Sequence, residues 1–250
     1  LGFITSTGVM HRIHVGDVPA LNDVFDLSSM VSASSFLGLP KSEKVLNVFE
    51  LNENASIAIG TAQGTVKRVS AEFAPKAEFE MIALKPGDQV IGADLAADDD
   101  EFVFITNDAQ LLRFAAKTVR PHGRGAAGVA GINVADGAAA IAFCVAKAGM
   151  ENIAVTAANS SGSIAGTDAG SVKWTPLSEF PAKGRATGGV RAHKFIRTED
   201  QLYFAWAGPS EAIALSADGK PAELPTEAGK RDASGSKSTG AIGSIGHKLS

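Results

Sequence analysis

One phrase recurs along this 250-residue chain, and it limits the fold more than any other feature. A short apolar run ends in Thr and a small-residue turn, then resumes with a basic residue one or two places before an apolar or aromatic one. It reads FITSTGVMHRI from Phe3, IAIGTAQGTVKRV from Ile57, FVFITNDAQLLRF from Phe102 and SIAGTDAGSVKW from Ser163, with a fainter copy, AIALSADGKPAEL, from Ala212. Aligning the turn positions Gly8, Gly64, Ala109, Gly170 and Gly219 gives spacings of 56, 45, 61 and 49 residues, the scale of a propeller blade rather than of a domain. Apolar and polar residues alternate within each copy, as half-buried strands require, and sustained helical periodicity is missing. The best local helix candidate, Asn22 to Met30, is short and ends in the Ser-rich VSASS.

Such a unit cannot bury its apolar face alone, so copies must pack side by side and leave the loops between strands to carry function. The sequence predicts an all-β fold, a β-pinwheel or propeller of about five four-stranded blades. The whole of 1–250 is read as one domain with units 1–56, 57–101, 102–162, 163–211 and 212–250. Each unit has a second half of similar grammar, such as FEMIALKPGDQVIGADLA from Phe79 and GVAGINVADGAAAIAFCVA from Gly128, which reads as a hairpin. The fifth unit ends early in a glycine-rich tail, and the strand near Phe3 to Thr5 is expected to complete it and close the ring.

Net charge is −4, which argues at first against a phosphate-rich partner, but the distribution matters more than the sum. Arg113, Lys117, Arg120 and Arg124 lie in one acid-free run; Lys183, Arg185, Arg191, Lys194 and Arg197 lie in another. Together they hold nine of the chain's 23 Lys and Arg. Acids cluster instead at Asp94 and from Asp98 to Glu101. Three loops at matching places, VRPHGRGAAGVAG, FPAKGRATGGVRA and TEAGKRDASGSKSTGAIG, set glycine beside Arg or Lys, which would let backbone N–H groups approach a phosphate that the cation neutralises.

Catalytic and metal signatures are weak. GRGAAG at Gly123 to Gly128 fits G-x-G-x-x-G, but no apolar strand precedes it and no helical pattern follows. Asp98 to Glu101 lacks calcium-loop spacing and reads as a solvated tip. His11 and His14 are three apart and point to opposite faces of a strand. His122 and His193 supplement the loop cations, Tyr203 reads as core with a satisfied hydroxyl, and Cys144 reads as a buried, inert thiol. One cysteine allows no internal disulfide and fits a reducing compartment. The small-residue stretch Ala126 to Ala146 is broken by Asn133 and Asp136, so no membrane partner is expected. The chain opens on Leu1, with no signal-peptide pattern, and reads as an excised piece of something longer.

The repeats and basic loops resemble the C-terminal β-pinwheel domain of the A subunit of bacterial type IIA topoisomerases, the DNA gyrase and topoisomerase IV family. GTVKRV with its lead-in TAQG, ALKPGDQVIGADLA, FVFITNDAQLLRF and above all VRPHGRGAAGVAGI carry the resemblance, which is strongest from Ile57 to Ile132. It implies a non-catalytic domain whose basic rim bends duplex DNA toward a cleavage core elsewhere on the same polypeptide. The B subunit is then a further partner, ATP and Mg belong to other domains, no cofactor is held here, and the setting is cytoplasmic and nucleoid-associated. The DNA-binding residues expected are His11, Arg12, Lys67, Arg68, Arg113, Lys117, Arg120, His122, Arg124, Lys173, Lys183, Arg185, Arg191, Lys194, Lys230 and Arg231, with Arg120 and Arg124 dominant. The family's gyrases carry a Q-R-R-G-G-K-G box in the first blade. Here Leu21 to Pro40 has no Arg or Lys and Asp17, Asp23 and Asp26 stand nearby, so a relaxing or decatenating enzyme is favoured over a supercoiling one. The competing readings are a propeller scaffold for protein partners and an enzyme with a site in a central channel.

Overall fold

The computed structural model describes residues 1–19, 30–51, 56–70, 75–163 and 168–247. Along the chain run β1 (Gly2–Thr5), β2 (Val9–Arg12), the short helix α1 (Ala33–Phe36), β3 (Val45–Phe49), β4 (Ser56–Thr61), β5 (Thr65–Val69), β6 (Glu78–Glu80) and β7 (Val90–Ala96). They are followed by β8 (Glu101–Thr106), β9 (Gln110–Ala115), β10 (Pro121–His122), β11 (Val129–Ala130), β12 (Ala140–Ala146), β13 (Asn152–Asn159) and β14 (Ser171–Pro176). The last are β15 (Val190–Arg191), β16 (Gln201–Pro209), β17 (Ala212–Ser216), β18 (Pro221–Ala222), β19 (Ser236–Lys237) and β20 (Ile242–His247). The fold is all-β, with five small sheets as blades in a ring; the helix candidate from Asn22 lies outside the described residues up to position 29.

The first, second, third and fifth copies of the phrase each form a tight pair, β1–β2, β4–β5, β8–β9 and β17–β18, whereas in the fourth the partner of β14 is β13, which lies before the expected start at Ser163 and inside the expected third unit 102–162. All five aligned turn positions have positive φ: 79° at Gly8, 83° at Gly64, 62° at Ala109, 54° at Gly170 and 80° at Gly219. Glycine is favoured there because a Cβ is strained in the left-handed region, and Ala109 accepts that strain. Within a strand, successive side chains serve different neighbours. Phe102 and Phe104 pack toward the second blade with Val66 and Ala58, while Val103 and Ile105 pack toward the fourth with Ala154 and Ala158. Ile57 and Ile59 meet Ile4 and Met10 of the first blade, and Ile153 and Val155 meet Ala214 and Ile242 of the fifth. Each apolar cluster therefore lies between two consecutive blades. The innermost strands β3, β7, β12, β16 and β20 pack one against the next.

The second halves of the units are not hairpins. β6 and β7 flank one turn, yet β6 completes the first blade on β2 while β7 joins the second on β4. The same parting separates β11 from β12 and β15 from β16, and in the first unit the expected first strand of the hairpin is α1. Each crossing segment pairs with the second residue after the turn glycine or alanine: Met10 with Phe79, Val66 with Val129, Leu111 with Val190 and Val172 with Ser236. In the fifth blade Pro221 occupies that place. It has no N–H to donate and suits an outer edge.

The expected closure by the N-terminal strand is corrected. β1 pairs with β2 and β3 in the first blade, and the fifth blade, ordered β18-β17-β20, is completed by its own C-terminal strand. Despite its glycines the tail supplies that strand, because Ile242 and Ile245 pack on the core around Ala214 and Trp206.

Candidate nucleic-acid interface

The predicted cations divide into two sets. The first lies on the strands and is internal. Lys67 on β5 is 1% exposed, and its Nζ donates to the carbonyls of Met81 at 2.9 Å and Arg124 at 2.5 Å. Lys173, at the same place on β14, is 3% exposed and donates to the carbonyls of Lys230, Arg231 and Ala233 at 2.8–2.9 Å. One position on, Arg68 is 4% exposed, pairs with Asp98 at 2.6 Å and reaches the carbonyls of Ala116 and Val119. Arg113 pairs with Glu101 at 2.6 Å and donates to the carbonyl of Phe180. Trp174 fills the equivalent place on β14 and its indole N–H donates to Pro225.

These side chains hold the segment that arrives from the next unit, so Lys67, Arg68, Arg113 and Lys173 are corrected from phosphate contacts to scaffolding. His11 is also internal, buried with its Nδ1 3.4 Å from Glu78 on β6. Arg124 is half-buried, its guanidinium 5.2 Å from the centre of the Phe79 ring, which leaves it a weaker claim on solvent than Arg120. Arg231 is half-buried as well.

The second set lies on the crossing loops. Lys117, Arg120, His122, Lys183, Arg191, Lys194 and Lys230 are exposed, as is Arg12 on β2. Arg185 is half-buried and its Nη1 donates to Ala130 at 3.1 Å. Successive loops are tied together: Ala186 N–H donates to Gly131 at 2.6 Å, Asn133 N–H to Thr187 at 3.0 Å, and Lys194 N–H to Ala233 at 3.1 Å.

Strand register exposes a further pattern. Directly opposite the first residue after the turn lie Glu80 on β6, Ala130 on β11, Arg191 on β15 and Lys237 on β19, all exposed. The row runs from acid through neutral to base as it passes from the first blade to the fourth. Lys237 is absent from the cations expected on sequence grounds, although Gly235-Ser-Lys aligns with Gly189-Val-Arg and would have found it. The loop glycines also need correction. A Cβ on Gly128, Gly189 or Gly235 would come within 3 Å of backbone or side-chain atoms of the strand it crosses, so these three serve strand packing. Gly123, Gly125, Gly184 and Gly188 face open space.

The remaining candidates are structural. Asp98 pairs with Arg68, and buried Asp100 accepts from the N–H groups of Ala97 and Ala148 at 2.9 Å, so this tip is not simply solvated. His193 is buried rather than part of a basic loop surface. Gly235 N–H donates to its Nε2 at 3.2 Å, and Thr156 Oγ1 lies 3.0 Å from its Nδ1. Burial, then the Lys173 charge, pushes its pKa down to about 4. Tyr203 accepts from Ile242 N–H and donates to Ala169, and burial pushes the Cys144 thiol up to about 12. Among the described residues no helix is long and apolar enough to cross a membrane.

A ring of blades that exchange their outer strands and present cations on the crossing loops defines a propeller domain of the pinwheel type. The family described as DNA gyrase C-terminal domain, beta-propeller, matches residues 100–145 and 164–195. The DNA gyrase A protein of Klebsiella oxytoca is 35% identical over 149 residues, and that of Escherichia coli K12 is 32% identical over 149; each alignment covers 58% of this chain and 16% of the relative. The chain thus spans about a sixth of the length of these curated relatives. The C-terminal domain of DNA topoisomerase IV superposes with a TM-score of 0.78 at 20% identity, covering 98% of this chain and 77% of that one. The DNA gyrase A C-terminal domain gives 0.73 at 19% identity, covering 98% and 80%; at these identities the superpositions speak for the fold alone. The family match, which takes in the VRPHGRGAAGVAGI loop, and these relatives support the resemblance to the C-terminal β-propeller domains of DNA gyrase A subunits that the repeat phrases carry.

Proposed function

We propose that this domain binds and bends duplex DNA without sequence preference, along the outer edges of the second, third and fourth blades. The carrying observation is the register row from Glu80 to Lys237 together with the exposed cations of the loops beside it. Arg and Lys on loops reach phosphates rather than base edges, so binding is electrostatic. The domain is non-catalytic in this reading. It hands DNA to a cleavage core on the rest of its own polypeptide. The B subunit is its partner in the enzyme, ATP and Mg²⁺ are used by other domains, and the setting is cytoplasmic and nucleoid-associated.

The first blade interrupts the path, because β6 presents Glu78 and Glu80 where later blades present neutral or basic residues. Asp23 and Asp26, also invoked for this gap, lie outside the described residues. A wrap of fixed handedness needs a continuous cationic rim, and bending past 90° costs several kcal/mol that a gap in contacts leaves uncompensated. The parent enzyme is therefore a relaxing or decatenating type rather than an efficient supercoiler. Fluorescence anisotropy on a short duplex at several salt concentrations tests the first claim. With about five phosphates neutralised, log affinity falls against log salt with a slope of roughly −4 to −5, whereas a flat response removes the model.

A further inference from the structure

The outer strand of the second blade is split. β10 pairs with β5 at Arg68 and Val69, β11 pairs at Val66 and Thr65, and the chain between them leaves the sheet. Beside this break opens a cavity of about 200 Å³, smaller than the ~300 Å³ at which pockets for drug-sized ligands begin. Its lining includes Arg68, Arg120, His122 and Arg185, with Val66 and Val129 as apolar residues. Among the described residues none of the lining side chains is acidic.

Arg185 comes from a different loop from Arg120 and His122, and its position is enforced. The next residue, Ala186, has φ of 60° and donates its N–H to Gly131 at 2.6 Å, while Arg185 Nη1 is fixed on Ala130. A non-glycine residue in the left-handed region carries about 1–2 kcal/mol of strain, which persists where surrounding contacts over-determine it and which clusters at ligand clamps. Here the strain holds a guanidinium at the mouth of an acid-free cavity.

We infer that this cavity seats a single phosphate group, gripped by Arg120 and His122 from one crossing loop and Arg185 from the next. A bound phosphate ties the two loops together. The group is either a backbone phosphodiester of the proposed duplex, in which case the inference rests on that reading, or a free phosphate ester.

The test is calorimetric titration of the protein with sodium phosphate against sodium chloride of equal ionic strength, followed by duplex binding across salt concentrations. Variants are Ala127→Trp, which fills the cavity without changing charge, and Arg185→Gln, which covers the case where the first does not fold. Saturable phosphate binding that both variants weaken roughly tenfold or more, as loss of one charge-assisted contact implies, and that Lys41→Gln leaves unchanged, supports the seat. If the group is a backbone phosphate, Ala127→Trp also lowers duplex affinity and makes the log–log salt slope shallower by about 0.9. If duplex binding is unchanged while phosphate binding is lost, the ligand is a free phosphate ester. Absence of saturable phosphate binding together with unaltered duplex binding in both variants overturns the inference. Failure of the wild-type protein to bind duplex counts against the proposed function only, since the phosphate titration still decides the cavity.

Discussion

The cations on the strands and the cations on the crossing loops look alike in the sequence and do opposite things. Lys67 and Lys173 turn inward to the carbonyls of an arriving segment 57 to 60 residues further on, and Arg68 and Arg113 do the same with an acid partner added. Arg120, Arg191, Lys194 and Lys230 sit on the very segments so held and face solvent. A dense run of Lys and Arg is therefore not by itself a phosphate footprint: one set builds the platform and the other occupies it.

The comparison breaks most visibly if a strand cation can be removed without harm. Replacing Lys173 with Ala leaves three carbonyls without their charged donor, and this should destabilise the fold by about 3–4 kcal/mol in urea unfolding. A change below about 0.5 kcal/mol, the size typical of surface sites, would place Lys173 in the loop class.

His193, which shares this buried region with Lys173, provides a pH test. Its folded value of about 4 lies below the ordinary 6.5, so the neutral ring is the form the fold favours. Above pH 6.5 its contribution is fully present. As pH falls from 6.5 toward 4 the unfolded chain takes up a proton that the folded one refuses, and about 3 kcal/mol of stability is lost. His193→Gln should flatten that part of the stability profile; an unchanged acid slope would show that other groups set it.

Loop cations should behave in the reverse way. Arg120→Ala should leave unfolding within about 0.5 kcal/mol of wild type and make the salt slope of duplex binding shallower by about 0.9. Paired with Arg124→Ala it should still exceed the loss from replacing Lys41 and Lys44, but Arg120 should contribute most of it because Arg124 leans on Phe79. The smallest and most diagnostic effect is a gain. Glu80→Lys extends the basic row into the first blade and should steepen the salt slope by up to about 0.9, while no change would mean that DNA never reaches that edge.

Much of the fold was legible because the information is local. The five turn positions all take the left-handed conformation, even at Ala109, which closes the same three-residue turn as Gly8 and Gly64. The destination of a strand after its turn is not local. The turn between Phe79 and Val90 has the same grammar as a hairpin, yet Phe79 pairs with Met10 and Val90 with Thr61, partners that no short window contains. The burial of Lys67 depends in the same way on a loop 57 residues away. One signal was available: Lys67 with Lys173 and Arg68 with Arg113 hold fixed places in the repeated phrase, on the strands themselves. A charge that recurs at a fixed strand position reads better as scaffold.

The central claim is that phosphate contact belongs to the loop set, and one measurement addresses it most directly. Duplex affinity against salt is compared between the wild-type protein and a variant with Arg120, Arg191, Lys194 and Lys230 all changed to Gln. The account predicts a log–log slope shallower by roughly 3 to 4 with cooperative unfolding at an unchanged midpoint. An unchanged slope, or a variant that no longer unfolds cooperatively, would contradict it.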